Sequence, residues 1–304
     1  MIYYDLSVHP EIINAHYEAF EKLVLRETEK SPLIDGMKKF IITNLKTILT
    51  GTPSEIFEIN SRFYLIKHIK EDLTPILKSI FDYSEFTKKS VTKYCAYTLT
   101  ENLNIRTCLY CNRQYTLTVI NKMDQITRPE FDHFFDQDTY PLLALSIYNL
   151  IPSCHICNST LKHTKPFNLK EYIHPYVNKD IVNQYRYTYL PHDVTSILGG
   201  SSRLEVKIVS EGQPDSEKII KTKDVFKLEE IYNGHTEELT DLFDIRYKLS
   251  ERYLEELMKT YKHLGINREE VYKLAFGVHY NEDDFVRRSF SKIKKDILKE
   301  LGII

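Results

Sequence analysis

The sequence predicts an α+β protein, mainly helical, with a helical N-terminal part and a mixed β/helical C-terminal part. Three observations predict it. The first hundred residues carry apolar side chains at helical spacing, with prolines between the runs. The middle turns β-rich between two Cys-x2-Cys pairs, Cys108/Cys111 and Cys154/Cys157. The last quarter is charged and helical again. Boundaries follow at 1–103 for the helical region, 104–180 for the cysteine-framed core and 181–304 for a β-hairpin plus helices. No long flexible linker is visible, which favours one wrapped body.

Residues 11–30 and 34–49 read as amphipathic helices separated by Pro32. Thr52, Pro53 and Glu55 open a third, with proline in its first turn. Residues 73–86 and 91–103 continue the pattern. After Cys111, residues 115–120 read as a strand, and 121–125 turn it back into a second strand ending near Asp132. Residues 141–148 read as a short buried helix, so 108–165 is a strand–strand–helix unit bracketed by the cysteine pairs. Farther on, 185–190, 204–209 and 218–221 read as strands, with turns at 199–202 and 211–215. From Leu228 onward the pattern is helical. In the basic stretch 287–295, Phe290, Ile293 and Ile297 form an apolar stripe whose lysines and arginines are expected on the solvated side.

Of the 304 residues, 42% are hydrophobic and 28% charged, which fits a soluble globular chain. A net charge of -2 provides no global basic field, so any grip on nucleic acid must come from a local patch. Asp5 follows the first residues with no apolar h-region, which argues against a signal peptide. The apolar segment between Pro141 and Pro152 is too short to span a bilayer. A cytoplasmic location is expected, where paired cysteines bind metal or do redox work.

Two cysteines three positions apart grip one face of a tetrahedral ion, and a second pair completes the sphere. A structural zinc on Cys108, Cys111, Cys154 and Cys157 is therefore expected, with no coordination position left for catalysis. The alternatives are unrelated buried thiols or a redox pair, the latter disfavoured because no thioredoxin-like βαβ pattern surrounds either motif. Cys95 reads as a small core residue. Zinc closure would bring Asn158, next to Cys157, toward the strand end carrying Asp132 and His133. Two oxygen ligands and an imidazole suit a Mg²⁺-type ion plus a general base.

Over about residues 107–165 these motifs resemble the HNH, or ββα-metal, endonucleases with a zinc-knuckle frame. The resemblance implies a ββα-metal nuclease core framed by the four-cysteine zinc site. It implies Asp132 and Asn158 as ligands of one catalytic ion (Mg²⁺ or Mn²⁺), and His133 as the base that activates water. Asn149 would hold the backbone that orients His133. The reaction would be metal-assisted phosphodiester hydrolysis, with DNA the favoured substrate. RNA or tRNA cleavage is the alternative, as is a non-catalytic zinc-stabilised module that binds nucleic acid or protein.

The longer context, Phe131-Asp132-His133-Phe134, Tyr140-Pro141 and Asn149 through Cys154, resembles the HNH component of Septu-type bacterial anti-phage defence systems. Those components work with a separate ATPase of the ABC/SMC-like class. This chain has no GxxxxGK[ST] motif, so nucleotide control would come from such a partner. Two features depart from the pattern. Asn158 stands where many relatives have His. Asp136 and Asp138 follow His133 where a basic residue would help a polyanion; they either point away or add to the metal shell.

Lys162, His163, Arg113 and Lys165 are the candidate phosphate contacts, with Arg128 beside them, against the plainer reading of a solvated face. Lys162, four positions past Asn158, would share its helix face. His155 reads as an exposed tip and His174 as structural packing. Glu130 either orients His133 or faces outward.

Overall fold

The computed structural model describes residues 1–66, 72–121, 124–193, 204–249 and 252–304. Helices predominate, and the described strands form three small antiparallel two-stranded sheets. No helix among the described residues is long and apolar enough to cross a membrane. The chain divides into two compact units, neither continuous in sequence.

One unit comprises Asp5–Ile105 and Thr116–Val177. Its helices are α1 (Pro10–Lys30), α2 (Asp35–Thr50), α3 (Pro53–Tyr64), α4 (Thr74–Ile80), α5 (Tyr83–Thr87) and α6 (Ala96–Leu103). Pro10 opens α1, and its buried stripe Ile12, His16, Phe20, Val24 and Thr28 repeats every four residues. Met37, Ile41, Leu45 and Ile48 form the matching stripe of α2. Burying a side chain such as Phe20 contributes roughly 2–3 kcal/mol. At α3, Glu55 Oε2 accepts from the Thr52 N–H at 2.8 Å, closing a capping box. The run expected as one helix over 73–86 breaks at Phe81–Asp82, because Asp82 accepts from Glu85 N and starts α5 afresh. The helix expected over 91–103 is confined to α6, which ends at left-handed Asn104.

These helices matter because they hold a long loop, residues 134–149. His16 lies buried in α1, and its Nε2 donates to the Leu145 carbonyl at 2.7 Å. Ser146 Oγ donates to the Ile48 carbonyl of α2. Phe57 of α3 packs on Phe135, ring centroids 5.5 Å apart.

The strand pairing differs from the expected one. Strand β1 is only Val119–Ile120 and β2 only Gln125–Thr127, paired with each other; part of the turn between them lies outside the described residues. Pro129, which has no N–H to donate, separates β2 from β3 (Glu130–His133). Strand β3 pairs instead with β4 (Leu150–Ser153), in the register Asp132↔Ile151 and His133↔Leu150. The short helix expected at 141–148 is two 3-10 turns, Pro141–Leu143 and Ile147–Asn149. The helical segment that follows the hairpin is a wide π-type turn, Ile156–Lys162.

The other unit comprises Met1–Tyr4, Arg106–Tyr115 and Asn178–Ile304. Its hairpin joins β5 (Arg186–Pro191) to β6 (Leu204–Val209), where Leu204, Val206 and Ile208 alternate inward. The turn expected at 199–202 lies outside the described residues. Residues 218–221, read as a strand, lie within the helix Ser216–Val225; Ile219 and Thr222 are buried three apart on one helical face.

The basic stretch is also corrected. In the helix Ser291–Glu300, Lys292 and Lys295 are buried, not solvated. Lys292 pairs with Asp296 at 2.6 Å and Lys295 with Glu282 at 3.0 Å. Lys294 meets Glu238 and Arg287 meets Asp284. Four of the five cations in this segment thus meet carboxylates within the unit, and Arg288 donates to the Gly277 carbonyl.

Candidate active-site cleft and cysteine cluster

Cys108, Cys111, Cys154 and Cys157 are all buried, and their sulfurs lie within 4.8 Å of one another. None is in a disulfide. Local geometry explains each pair. The first sits in a tight turn closed by Asn112 N donating to the Cys108 carbonyl at 2.8 Å, with Asn112 at φ 50. Asn112 Nδ2 donates to the carbonyl of Phe285, and Tyr232 OH donates to the carbonyl of Cys111. In the second pair, Cys157 N points at Cys154 Sγ (3.5 Å) and Asn158 N donates to the Cys154 carbonyl. Four buried sulfurs at this spacing can hold one structural metal ion. Among the described residues, no other group of three or more His, Cys, Asp or Glu side chains is drawn together in this way.

The second feature is a cleft of about 400 Å³ over β3 and the π-type turn. Asp132, His133, Asn158, Lys162 and His163 all line it, together with Glu130, Asp136, Asp138, Arg128 and Tyr83. Nine residues singled out from sequence, all of these but Tyr83, therefore share one cavity. Arg113 and Lys165 are not among its lining; Arg113 bonds His235 within the other unit, and Lys165 is exposed.

His133 is 9% exposed, at the end of β3. Its Nε2 faces the Ala144 carbonyl at 2.9 Å. A carbonyl only accepts, so the proton sits on Nε2 and Nδ1 keeps its lone pair. Burial lowers the pKa of the imidazole below its ordinary value, partly opposed by the Ala144 bond and by Asp132. The neutral form therefore dominates at pH 7. Tyr83 meets the ring edge-on at 4.4 Å.

Asn149, fully buried, ties the surrounding backbone together. Its Oδ1 accepts from Phe135 N at 2.7 Å, and its Nδ2 donates to the carbonyls of Phe135 and Leu143 at 3.0 and 3.1 Å. One amide thus links the residue two beyond His133 to the residue before Ala144. Leu145, next along, is fixed by His16. Both sides of the His133–Ala144 bond are anchored.

Asp132 is 3% exposed and Lys162 1%. Lys162 Nζ donates to Asp132 Oδ1 at 2.8 Å and to the His133 carbonyl at 2.6 Å. Lys162, expected on a surface facing phosphate, is turned inward because the π-type turn ends over β3. Asn158 is half-buried, and its Nδ2 donates to Glu130 Oε2 at 2.9 Å. Glu130 also accepts from Ser159 Oγ and pairs with the exposed ring of His155 at 2.7 Å. Burial pushes the Glu130 carboxyl up, but these bonds together bring it below its usual range. Asp136 caps Thr139 N, Asp138 pairs with Lys78, and His163 is exposed in a left-handed conformation at φ 47. Arg128 lies over the rings of Tyr97 and Phe131.

Sequence reasoning underrated Glu130 and missed Tyr83 and the Ala144 carbonyl. Glu130 was within reach, since two residues before Asp132 on a strand means the same face. Nothing local marks Tyr83, about fifty residues upstream. No protein-family model, curated protein or solved structure matches this chain.

Proposed function

We propose that the chain is a divalent-ion-dependent HNH endonuclease of the ββα-metal type, acting by preference on DNA. The observation that carries this reading is His133. Its Nε2 is tied to the Ala144 carbonyl, leaving Nδ1 as a base in a cleft shared with Asp132 and Asn158. The frame supports the same reading: an antiparallel pair, β3–β4, followed by a helical turn that starts within the second cysteine pair.

The donor sets fit the two ions this class implies. Four thiolates in a closed, buried cluster match structural zinc, which would take all four positions and leave none for substrate. In the cleft, the Asp132 carboxylate and the Asn158 amide oxygen are hard donors suited to Mg²⁺ or Mn²⁺. Glu130 holds the Asn158 NH₂ group and so presents its oxygen as the free end of the amide. A bound divalent ion would stabilise negative charge on the phosphate and the departing 3′ oxygen.

The chain's own residues supply the rest. His133 Nδ1 takes a proton from the attacking water, a role worth on the order of 10²–10⁴-fold in rate. The Ala144 carbonyl fixes the tautomer and steadies the imidazolium that forms. Asn149 holds both backbone stretches on which that geometry depends. Glu130 orients Asn158, not His133.

We further assign the chain as the nuclease effector of a bacterial anti-phage system of the Septu type, working with a separate ABC/SMC-like ATPase. Incubating supercoiled plasmid, single strands and tRNA with Mg²⁺ or Mn²⁺, with and without that ATPase, tests the reading. Nicking of the plasmid is expected. Preferential cleavage of tRNA would move the substrate to RNA. Binding without cleavage under every divalent ion would leave only a zinc-stabilised binding module.

A further inference from the structure

We infer that Lys162 is a tethered counter-cation that makes divalent-ion occupancy of Asp132 depend on bound phosphodiester. This rests on the endonuclease reading and assigns to that site a regulation of its own.

Lys162 closes the π-type turn Ile156–Lys162 and buries its ammonium almost completely. Two of its N–H groups are spent on β3, one on Asp132 Oδ1 and one on the His133 carbonyl, and the ammonium lies 4.9 Å from the Phe167 ring centroid. So enclosed, the ammonium is not placed to meet a phosphate from solution. What it does is neutralise Asp132. The contact compensates a carboxylate that is only 3% exposed.

The consequence is electrostatic. Asp132 and Lys162 together carry no net charge, and Asn158 is neutral. An ion binding at Asp132 must share a carboxylate that already has a cation in contact with it. Glu130, Asp136 and Asp138 also line the cleft and draw cations toward it. Both oxygens of Glu130 are engaged, by His155 and by Asn158 and Ser159, as is one oxygen each of Asp136 and Asp138, by the Thr139 N–H and by Lys78, and among the described residues no three of these carboxylates gather around one point. The further anionic ligand comes with the substrate phosphate. The metal is therefore held weakly by the resting protein and tightly by the complex with substrate, which limits hydrolysis to moments when nucleic acid is seated.

The test is Mn²⁺ binding, followed by the electron paramagnetic resonance of the free ion. It uses the full zinc-loaded chain, alone and with a short phosphorothioate duplex. Lys162→Met is expected to bind Mn²⁺ at least about tenfold more tightly than wild type without duplex, about 1.4 kcal/mol. Wild type should reach that affinity only with duplex, and Asp132→Asn should abolish binding in both backgrounds. Equal or weaker binding by Lys162→Met overturns the inference, as does tight wild-type binding without duplex.

If loss of the ammonium beside Asp132 weakens the fold, thermal melting supplies the readout. Mn²⁺ should then raise the melting temperature of Lys162→Met more than that of wild type. It should do nothing for Lys162→Met/Asp132→Asn. A Lys162→Met melt indifferent to Mn²⁺ overturns the inference. Absence of Mn²⁺ binding by every protein, duplex included, would instead bring down the endonuclease reading itself.

Discussion

The cysteine cluster and the cleft are built on opposite principles. In the cluster, four like ligands are buried and converge on one point. In the cleft, each polar group holds another: Lys162 holds Asp132, Glu130 holds Asn158, and the Ala144 carbonyl holds His133. The cluster can do one thing, which is to bind an ion and stay shut. The cleft keeps its groups oriented yet leaves a cavity beside them. On the proposed reading the difference separates a clamp from a reaction site: ligands that satisfy only a metal serve structure, whereas ligands pre-oriented by the protein can exchange partners.

Breaking the clamp should have the largest effect. Cys154→Ser removes one thiolate from the proposed zinc site, and a structural zinc is worth roughly 10–16 kcal/mol in small zinc domains, comparable to the whole stability of a protein. Loss of bound zinc by elemental analysis is expected, together with loss of a cooperative melt. A variant that keeps one zinc per chain and melts normally would remove the clamp from this account.

Asn149→Ala strikes the cleft's frame without touching the cysteine cluster or the proposed ion ligands. Three hydrogen bonds go, leaving Phe135 N and the Phe135 carbonyl unpaired in the interior, while the Leu143 carbonyl keeps the Ser146 N–H. A loss of about 2–4 kcal/mol in urea unfolding is expected, with zinc retained and cleavage reduced. A change under 1 kcal/mol would show that the loop does not depend on this amide.

Acid should weaken the unit that carries the cleft. Burial pushes His16 down to about 4 and His174 down to about 3, and lowers His133 as well. In the unfolded chain each takes a proton near pH 6.5. Below that pH the unfolded state binds more protons than the folded one, so stability falls with falling pH until the folded pKa is reached. Each such histidine adds a slope of about 1.4 kcal/mol per pH unit within that window. Urea midpoints between pH 6.5 and 4.5 measure it, and His174→Phe should lower the slope by about one proton. An unchanged slope would mean that His174 is protonated in the fold. At the small end, Lys165→Ala should leave stability within about 0.5 kcal/mol and substrate affinity nearly unchanged, because Lys165 does not line the cleft.

Much of the cleft was legible because its residues are tied to local motifs. Asn158 adjoins Cys157, and Asp132 and His133 are neighbours on one strand, so each could be picked out by chain proximity. The groups that hold them were not. Ala144 contributes a backbone atom, which any residue type could supply. Tyr83 and His16 arrive through helix packing, and Lys162 was misplaced because a π-type turn, not an ideal helix, sets its direction.

In the fold, the helices with caps and apolar stripes were clear. The strand pairing was not, since Pro129 ends one short pair and starts another with Leu150–Ser153, and pairing over that distance leaves no periodic trace. Residues 218–221 show the same limit: Ile219 and Ile220 favour strands by propensity, and tertiary packing overrides it.

His133→Ala, assayed by plasmid nicking with Mn²⁺, tests the central claim most directly. Wild type should nick, and the variant should lose on the order of 10²–10⁴-fold while keeping its zinc and its melting transition. Nicking by His133→Ala at the wild-type rate would contradict the assignment of the base.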